Sequence, residues 1–372
     1  MKYLTGQKAN LIAGRIDRRE FIRRAMAFGM TVPAALSAAD MAMASAPKKG
    51  GVLRTGISGI SASTTLDPAT DDGGIAPFIF GALRNNLTEI LGDGRVIGEL
   101  AEDWEVSDTA DRWVFKLREG VEFHDGKTLD ADDVVATINY HRGEDSKSAA
   151  RTLLKSVGNV TAEDSRTVVF ELTSGNADFP YILADYHFSI LPLKDGEVDW
   201  KSGNGTGPYV FDTYVPGVRA TGNRNPNYWK AGHGNFDRVE FLSMEDAAAK
   251  NTALMTGEVN CADKPDFKTL DRMAGVQNVR VTELPSTQHY MFAMHCDTAP
   301  FDDPDIRLAL KYAIDRDEIV EKIFRDMRPS ATIIRSRHRT GTTMTSCPNV
   351  ALIRIRRNII SKRRGIPALT ST

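Results

Sequence analysis

The sequence predicts a mixed α/β protein, and three observations carry that expectation. Stretches with strand alternation and stretches with helical spacing succeed one another along most of the chain, as they do where helices pack on a sheet. The chain has 372 residues, 41% of them hydrophobic and 26% charged, which is enough for two globular domains. Residues 115–134 read as strand, tight turn and capped helix, and residues 205–229 as a Gly/Pro turn, a strand and an aromatic turn. Neither stretch carries a catalytic motif.

The N-terminus reads as an address. Asp17-Arg18-Arg19-Glu20-Phe21-Ile22-Arg23 is a twin-arginine pattern with a hydrophobic residue two places after Arg19. The apolar run over 25–36 is broken by Gly29 and Pro33 and is too short to span a bilayer. Ala42 and Ala44 place small residues at the two positions a signal peptidase reads. Residues 1–44 are therefore expected to be a signal peptide for the twin-arginine translocase, with Arg18 and Arg19 as its recognised pair and cleavage after Ala44. No cysteine follows the run, so no lipoprotein anchor is expected, and the body is expected in the periplasm. A helix that stays attached is the alternative.

The body opens with a strand at 52–57 flanked by glycines. A polar loop over 58–74 carries Leu66-Asp67-Pro68 and Asp71-Asp72-Gly73-Gly74, and helical spacing covers 75–84. Strands follow at 87–91 and 113–118. His124-Asp125-Gly126-Lys127 makes a turn in which Gly126 is free to take a positive φ. Asp130 is placed to N-cap a helix over 131–141, with Asp132 and Asp133 in its first turn. Capping explains that acid cluster without acid–base or metal chemistry.

A helix is expected at 149–157, strands at 160–162 and 167–172, a short helix at 179–183 and a strand end at 190–192. The glycine-rich loop Gly203-Asn204-Gly205-Thr206-Gly207 is a weak phosphate signal. A proline and a strand over 209–215 follow it, where a phosphate cradle needs Lys-Ser/Thr and a helix. Asn225-Pro226-Asn227-Tyr228-Trp229 reads as a turn held by aromatic packing. Beyond it come a strand at 236–244, a helix at 245–255, a turn into a strand ending at Ala262, and a helix at 267–273. Strands at 279–284 and 288–295 follow, then a helix at 316–324 with Asp315 and Glu318 as a capping-box variant. Cys261, Cys296 and Cys347 show no C-x-x-C spacing, which argues against a zinc or redox motif. Separate buried thiols are expected, with a Cys261–Cys296 disulfide as the alternative.

Taken together these stretches resemble the extracellular solute-binding proteins of family 5, the large binding proteins of peptide ABC importers. The resemblance is carried by Leu117-Arg118, Gly120-Val121, Phe123, Asp125-Gly126, Leu129, Ala131 and Asp133-Val134. It continues through Gly205-Thr206-Gly207-Pro208-Tyr209-Val210, the Asn225 to Trp229 turn, and Thr298-Ala299-Pro300-Phe301 with Ala313-Ile314-Asp315-Arg316. It implies a periplasmic-binding-protein-like α/β fold of the type II, large peptide-binding class, whose two lobes close on an extended solute without chemistry. It implies lobe I with its mixed sheet over 45–297 and the start of lobe II over 298–326. By position, Asp71, Asp72 and Gly73 fall on the loop that meets ligand, and Gln288, His289 and Tyr290 on a hinge strand. It implies no catalytic residue, no cofactor and no metal. The implied partners are a peptide or other small solute and an ABC permease in the inner membrane, with no nucleic acid.

Past about Arg325 the resemblance stops and the composition changes. Asp326 is the last acidic residue, and Arg328, Arg335, Arg337, Arg339, Arg354, Arg356, Arg357, Lys362, Arg363 and Arg364 follow unbalanced. The tail 327–372 reads as frameshifted or disordered, with a basic arm for nucleic acid or anionic lipid as the alternative. The second lobe is then largely missing, and the chain is expected to hold solute weakly or not at all. Two rivals stand beside a binding protein: an exported cofactor-dependent enzyme and a non-functional fragment. Against the enzyme, the sequence holds no cysteine cluster, H-E-x-x-H, G-x-S-x-G or dinucleotide fingerprint.

Overall fold

The computed structural model describes residues 6–8, 10–11, 15–44, 48–59, 64–70, 76–282 and 292–323. The chain divides into two units: Met1–Asp266 with Asp271–Arg280, and Phe267–Leu270 with Val281–Thr372. The strands of the first unit are, in order, β1 (Val52–Ile57), β2 (Thr88–Ile90), β3 (Val96–Gly98), β4 (Ala101–Val106), β5 (Arg112–Leu117), β6 (Val157–Asp164), β7 (Thr167–Leu172), β8 (Leu193–Lys194), β9 (Glu197–Val198), β10 (Tyr209–Val215), β11 (Arg219–Arg224), β12 (Arg238–Ser243) and β13 (Cys261–Ala262). They form a five-stranded sheet in the order β10-β11-β12-β1-β13, a four-stranded sheet β4-β5-β7-β6, and the pairs β2-β3 and β8-β9.

The four-stranded sheet is antiparallel throughout. Its inner face follows from alternation: Trp113, Phe115 and Leu117 on β5 are buried between exposed or half-buried neighbours, as a period of two requires. Phe115, fully buried, meets Phe170 edge-on at 5.6 Å, and Phe170 meets Phe179 at 5.1 Å. The helix Ala131–Tyr140 closes this core with Ala131, Val134, Thr137 and Ile138 buried at helical spacing. Asp130 starts it as expected, accepting from Asp133 N while Asp133 reaches back to Asp130 N in a capping box. Asp133 does more than cap. Its carboxylate is fully buried, with Lys127 Nζ at 2.5 Å and Leu193 N at 2.7 Å. β4, at one edge of this sheet, exposes Glu102, Asp103 and Glu105.

A second core lies under the five-stranded sheet, where Ile79, Phe80 and Leu83 of the helix Ala76–Leu83 meet Ile57, Tyr209, Val239 and Phe241. The N-terminal helices Arg18–Ala27 and Val32–Ala44 pack on each other around a separate cluster of Phe21, Ala25, Ala35, Ala39 and Ala42. Asp17 N-caps the first, accepting from Glu20 N at 2.7 Å. In the second unit, Asp303 and Asp315 N-cap the helices Pro304–Ala313 and Arg316–Lys322, neither of which buries a residue. Glu318 N donates to the Asp315 carboxylate, the N-cap half of the expected capping box.

Several expectations need correction. Residues 149–157 form a 3-10 turn at Arg151–Leu154 and then enter β6, because Val157 pairs with Leu172. β11 went unread: Arg-Ala-Thr-Gly-Asn-Arg shows little apolar alternation, and the strand exists through backbone pairing to β10 and β12. No strand forms over 190–192, 279–282 or 292–295. Cys261 and Cys296 are free and exposed, not buried thiols and not a disulfide. The tail over 327–372 lies outside the described residues.

Candidate functional site

β1, β10, β12 and β13 point the same way, since β1 is parallel to β12 and β13 while β10 and β12 both oppose β11. Their carboxyl ends share one edge of the sheet. In open α/β sheets that edge, outside the strand ends, is where ligand crevices form. Hydrogen bonds knit the ends together: Met244 N to Ile57 O at 2.8 Å, Asp263 N to Gly56 O at 3.2 Å and Ser243 N to Val218 O at 2.8 Å.

A buried cation anchors this edge. Lys250, on the helix Ala247–Thr256, is 1% exposed. Its ammonium lies 2.5 Å from Ser58 Oγ and 2.7 Å from Asp263 Oδ1. Gly56 leaves room for its stem: a Cβ there would stand 2.9 Å from Met244 Sδ and 3.3 Å from Lys250 Cγ. Asp263 Oδ1 also accepts from Ser58 N at 3.2 Å, and Glu245 Oε1 accepts from Gly59 N at 2.6 Å.

Serine, lysine and aspartate in contact invite a nucleophile reading, and the hydrogen-bond directions argue against it. An ammonium paired with a carboxylate has no lone pair with which to take a proton. It donates to Ser58 Oγ, whose own proton has Met244 O as acceptor at 3.4 Å. The serine links strand ends. Leu66, Asp67 and Ala69, in the segment 64–70 that follows β1, are buried. Tyr214 Oη donates to Thr64 O at 2.7 Å, and Ala149 N to Ala69 O at 2.9 Å.

The glycine-rich loop serves packing. A Cβ on Gly205 would stand 2.1 Å from Leu83 O, and one on Gly207 would stand 2.4 Å from Leu83 C. These glycines let the loop lie against the end of the helix Ala76–Leu83. The Asn225 to Trp229 turn docks through Asn85, whose Oδ1 accepts from Trp229 Nε1 at 3.2 Å and whose Nδ2 donates to Tyr228 Oη at 3.2 Å and Glu99 Oε1 at 2.7 Å. Burial pushes the Glu99 carboxyl up to about 7, against the opposing pull of the Asn86 N–H and the Lys230 ammonium.

Asp71, Asp72, Gly73, Gln288, His289 and Tyr290 lie outside the described residues. The residues that build the described edge, Lys250, Asp263 and Ser58, were not singled out from the sequence. The signal was present: Lys250 shares the buried face of an alanine-rich helix with Ala253. The void between the helix Ala76–Leu83 and β10–β12, about 10 Å³, holds at most one water. Among the described residues no group of His, Cys, Asp and Glu forms a metal site, and no helix is long and apolar enough to cross a membrane.

A mixed sheet whose parallel strand ends share one edge, joined to an antiparallel module, is the lobe of a type II periplasmic binding protein. The periplasmic binding protein DppA from Helicobacter pylori, solved with the peptide STSA, matches it at TM-score 0.67 and 21% identity, over 86% of this chain and 67% of that one. The chain belongs to the bacterial extracellular solute-binding proteins, family 5, whose Middle region matches residues 95–336. The match runs past Arg325, so the first residues of the basic tail still carry family character. The dipeptide-binding protein of Escherichia coli (strain K12) is 29% identical over 276 residues, 67% of this chain and 51% of that protein. The glutathione-binding protein GsiB of Salmonella paratyphi A is 27% identical over 273 residues, 72% of this chain and 53% of that protein. The chain thus spans about half the length of these relatives.

Proposed function

We propose that this chain supplies the first lobe, over 45–297, and the start of the second, over 298–326, of a periplasmic substrate-binding component of an ABC importer. It takes peptides or peptide-like solutes of the dipeptide and glutathione class and carries out no reaction on them. The observation that supports this most directly is the shared carboxyl edge of β1, β10, β12 and β13, with its ordered strand ends, in a chain of family 5. The strand ends are bonded to one another, so the segments that leave such an edge supply the N–H and C=O groups that hold an extended peptide without regard to its side chains, and water fills the space around them. Asp71, Asp72, Gly73, Gln288, His289 and Tyr290 are the proposed further contacts. Arg18 and Arg19 address the chain to the twin-arginine translocase, cleavage follows Ala44, and an inner-membrane permease receives the solute.

A first lobe by itself grips a solute from one side, and low affinity is expected of it. Amide NMR titration with alanyl-alanine and with glutathione reads such binding directly. Solute-dependent shifts are expected at Ser58, Gly59, 64–70, Asp263 and Lys264. Shifts scattered over the four-stranded sheet would remove the edge from the proposal, and none at any concentration would leave a fragment that binds nothing.

A further inference from the structure

The segment 64–70 has Leu66, Asp67, Pro68 and Ala69 buried against the lobe, and its Thr64 O accepts from Tyr214 Oη near the carboxyl end of β10. Its hold is an unusual buried charge. Arg84, just past the helix Ala76–Leu83, is 1% exposed. Its Nη2 donates to Leu66 O at 3.1 Å and to Trp200 O at 3.2 Å, tying the segment to the 199–207 loop. The guanidinium lies 4.8 Å from the Phe80 ring centroid, and Asp67 and Asp199 supply compensating charge. Asp67, 6% exposed, accepts from Ala69 N at 2.9 Å through Oδ1 and from Tyr140 Oη at 3.0 Å through Oδ2. A surface loop needs no such buried cation, and burying one is costly unless its geometry is fixed.

We infer that Arg84 and Tyr140 are positioning residues: through Leu66 O and the Asp67 carboxylate they hold 64–70, whose Thr64 end meets Tyr214 near the carboxyl end of β10, and so set how well that edge receives solute. The inference rests on the reading of the edge as a solute site. Both residues lie on helices of the lobe or next to one, so the segment inherits the rigidity of the scaffold.

Two variants of the full chain test this, Arg84→Lys and Tyr140→Phe. Tyr140→Phe removes one hydroxyl and is the safer for folding. Hydrogen exchange at Ala69, Thr70 and Ala149 is expected to accelerate at least tenfold in each, with β7 amides unchanged. Alanyl-alanine shifts at Ser58 and Gly59 are expected to weaken, and the double variant to go little beyond the stronger single one. Exchange that rises equally in β7, or no local change in either variant, would overturn the inference. Local acceleration in a chain whose wild type shows no solute-dependent shift would support the latch and remove the solute reading beneath it, so the two failures are distinguishable.

Discussion

Two buried titratable residues give the lobe opposite responses to pH. Glu99, beside Lys230 and Glu89, is raised by burial from 4.5 to about 7. The folded state therefore binds its proton more tightly than the unfolded one, and this contribution to stability falls as pH rises from 4.5 to 7. His141 donates or accepts at Ser148 Oγ, 2.8 Å away, and its Nε2 is buried with no hydrogen bond among the described residues. Burial lowers it from 6.5 to about 3, with His187 adding to the effect and Asp185 opposing it. Here the unfolded state takes the proton first, so stability is lost as pH falls from 6.5 towards 3. Between 4.5 and 6.5 the two slopes oppose each other. Melting temperature against pH is the check. Glu99→Gln is expected to remove the decline just above pH 6.5, and His141→Gln to soften the acid loss below pH 4.5. Neither shift was legible in the sequence, because each comes from neighbours far along the chain. Glu99 owes its environment to Asn85, Asn86 and Lys230.

At the scale of elements, local chemistry was readable where it acts locally. Asp130 heads its helix, Gly126 takes φ 89°, and Val52–Ile57, Thr167–Leu172 and Tyr209–Val215 are strands over the residues expected. Reading failed where pairing overrides pattern. Residues 149–157 have helical spacing, yet Val157 is drawn into the ladder with Leu172. Residues 279–282 alternate apolar and polar and pair with no strand among the described residues. The glycine-rich loop was read as a turn, but the reason for its glycines is a tertiary contact with the end of the helix Ala76–Leu83. Gly205→Ala is expected to cost about 1–3 kcal/mol in denaturant unfolding, the usual range for a forced overlap in a packed interior. An unchanged midpoint would mean that the loop does not bear on the helix end as described.

For the whole molecule, the family and fold class were legible, because the motifs that carry them lie on the capped helix, the Gly/Pro turn and the aromatic turn. The candidate site was legible only by its place after β1. Its described chemistry, Lys250 with Asp263 and Arg84 with Asp67, depends on residues brought together across the sheet. Among the described residues the N-terminal helices share no core cluster with either sheet. A chain beginning at Ser45 is therefore expected to melt within a degree or two of the full one, whereas a marked fall would make those helices part of the lobe.

The outer strand β4 bears on life at high concentration. Two copies that met along this margin would set Glu102, Asp103 and Glu105 against the same three acids, and like charges facing across a ladder repel. At high concentration that repulsion leaves this margin without a partner, so the sheet ends at β4 instead of growing from copy to copy.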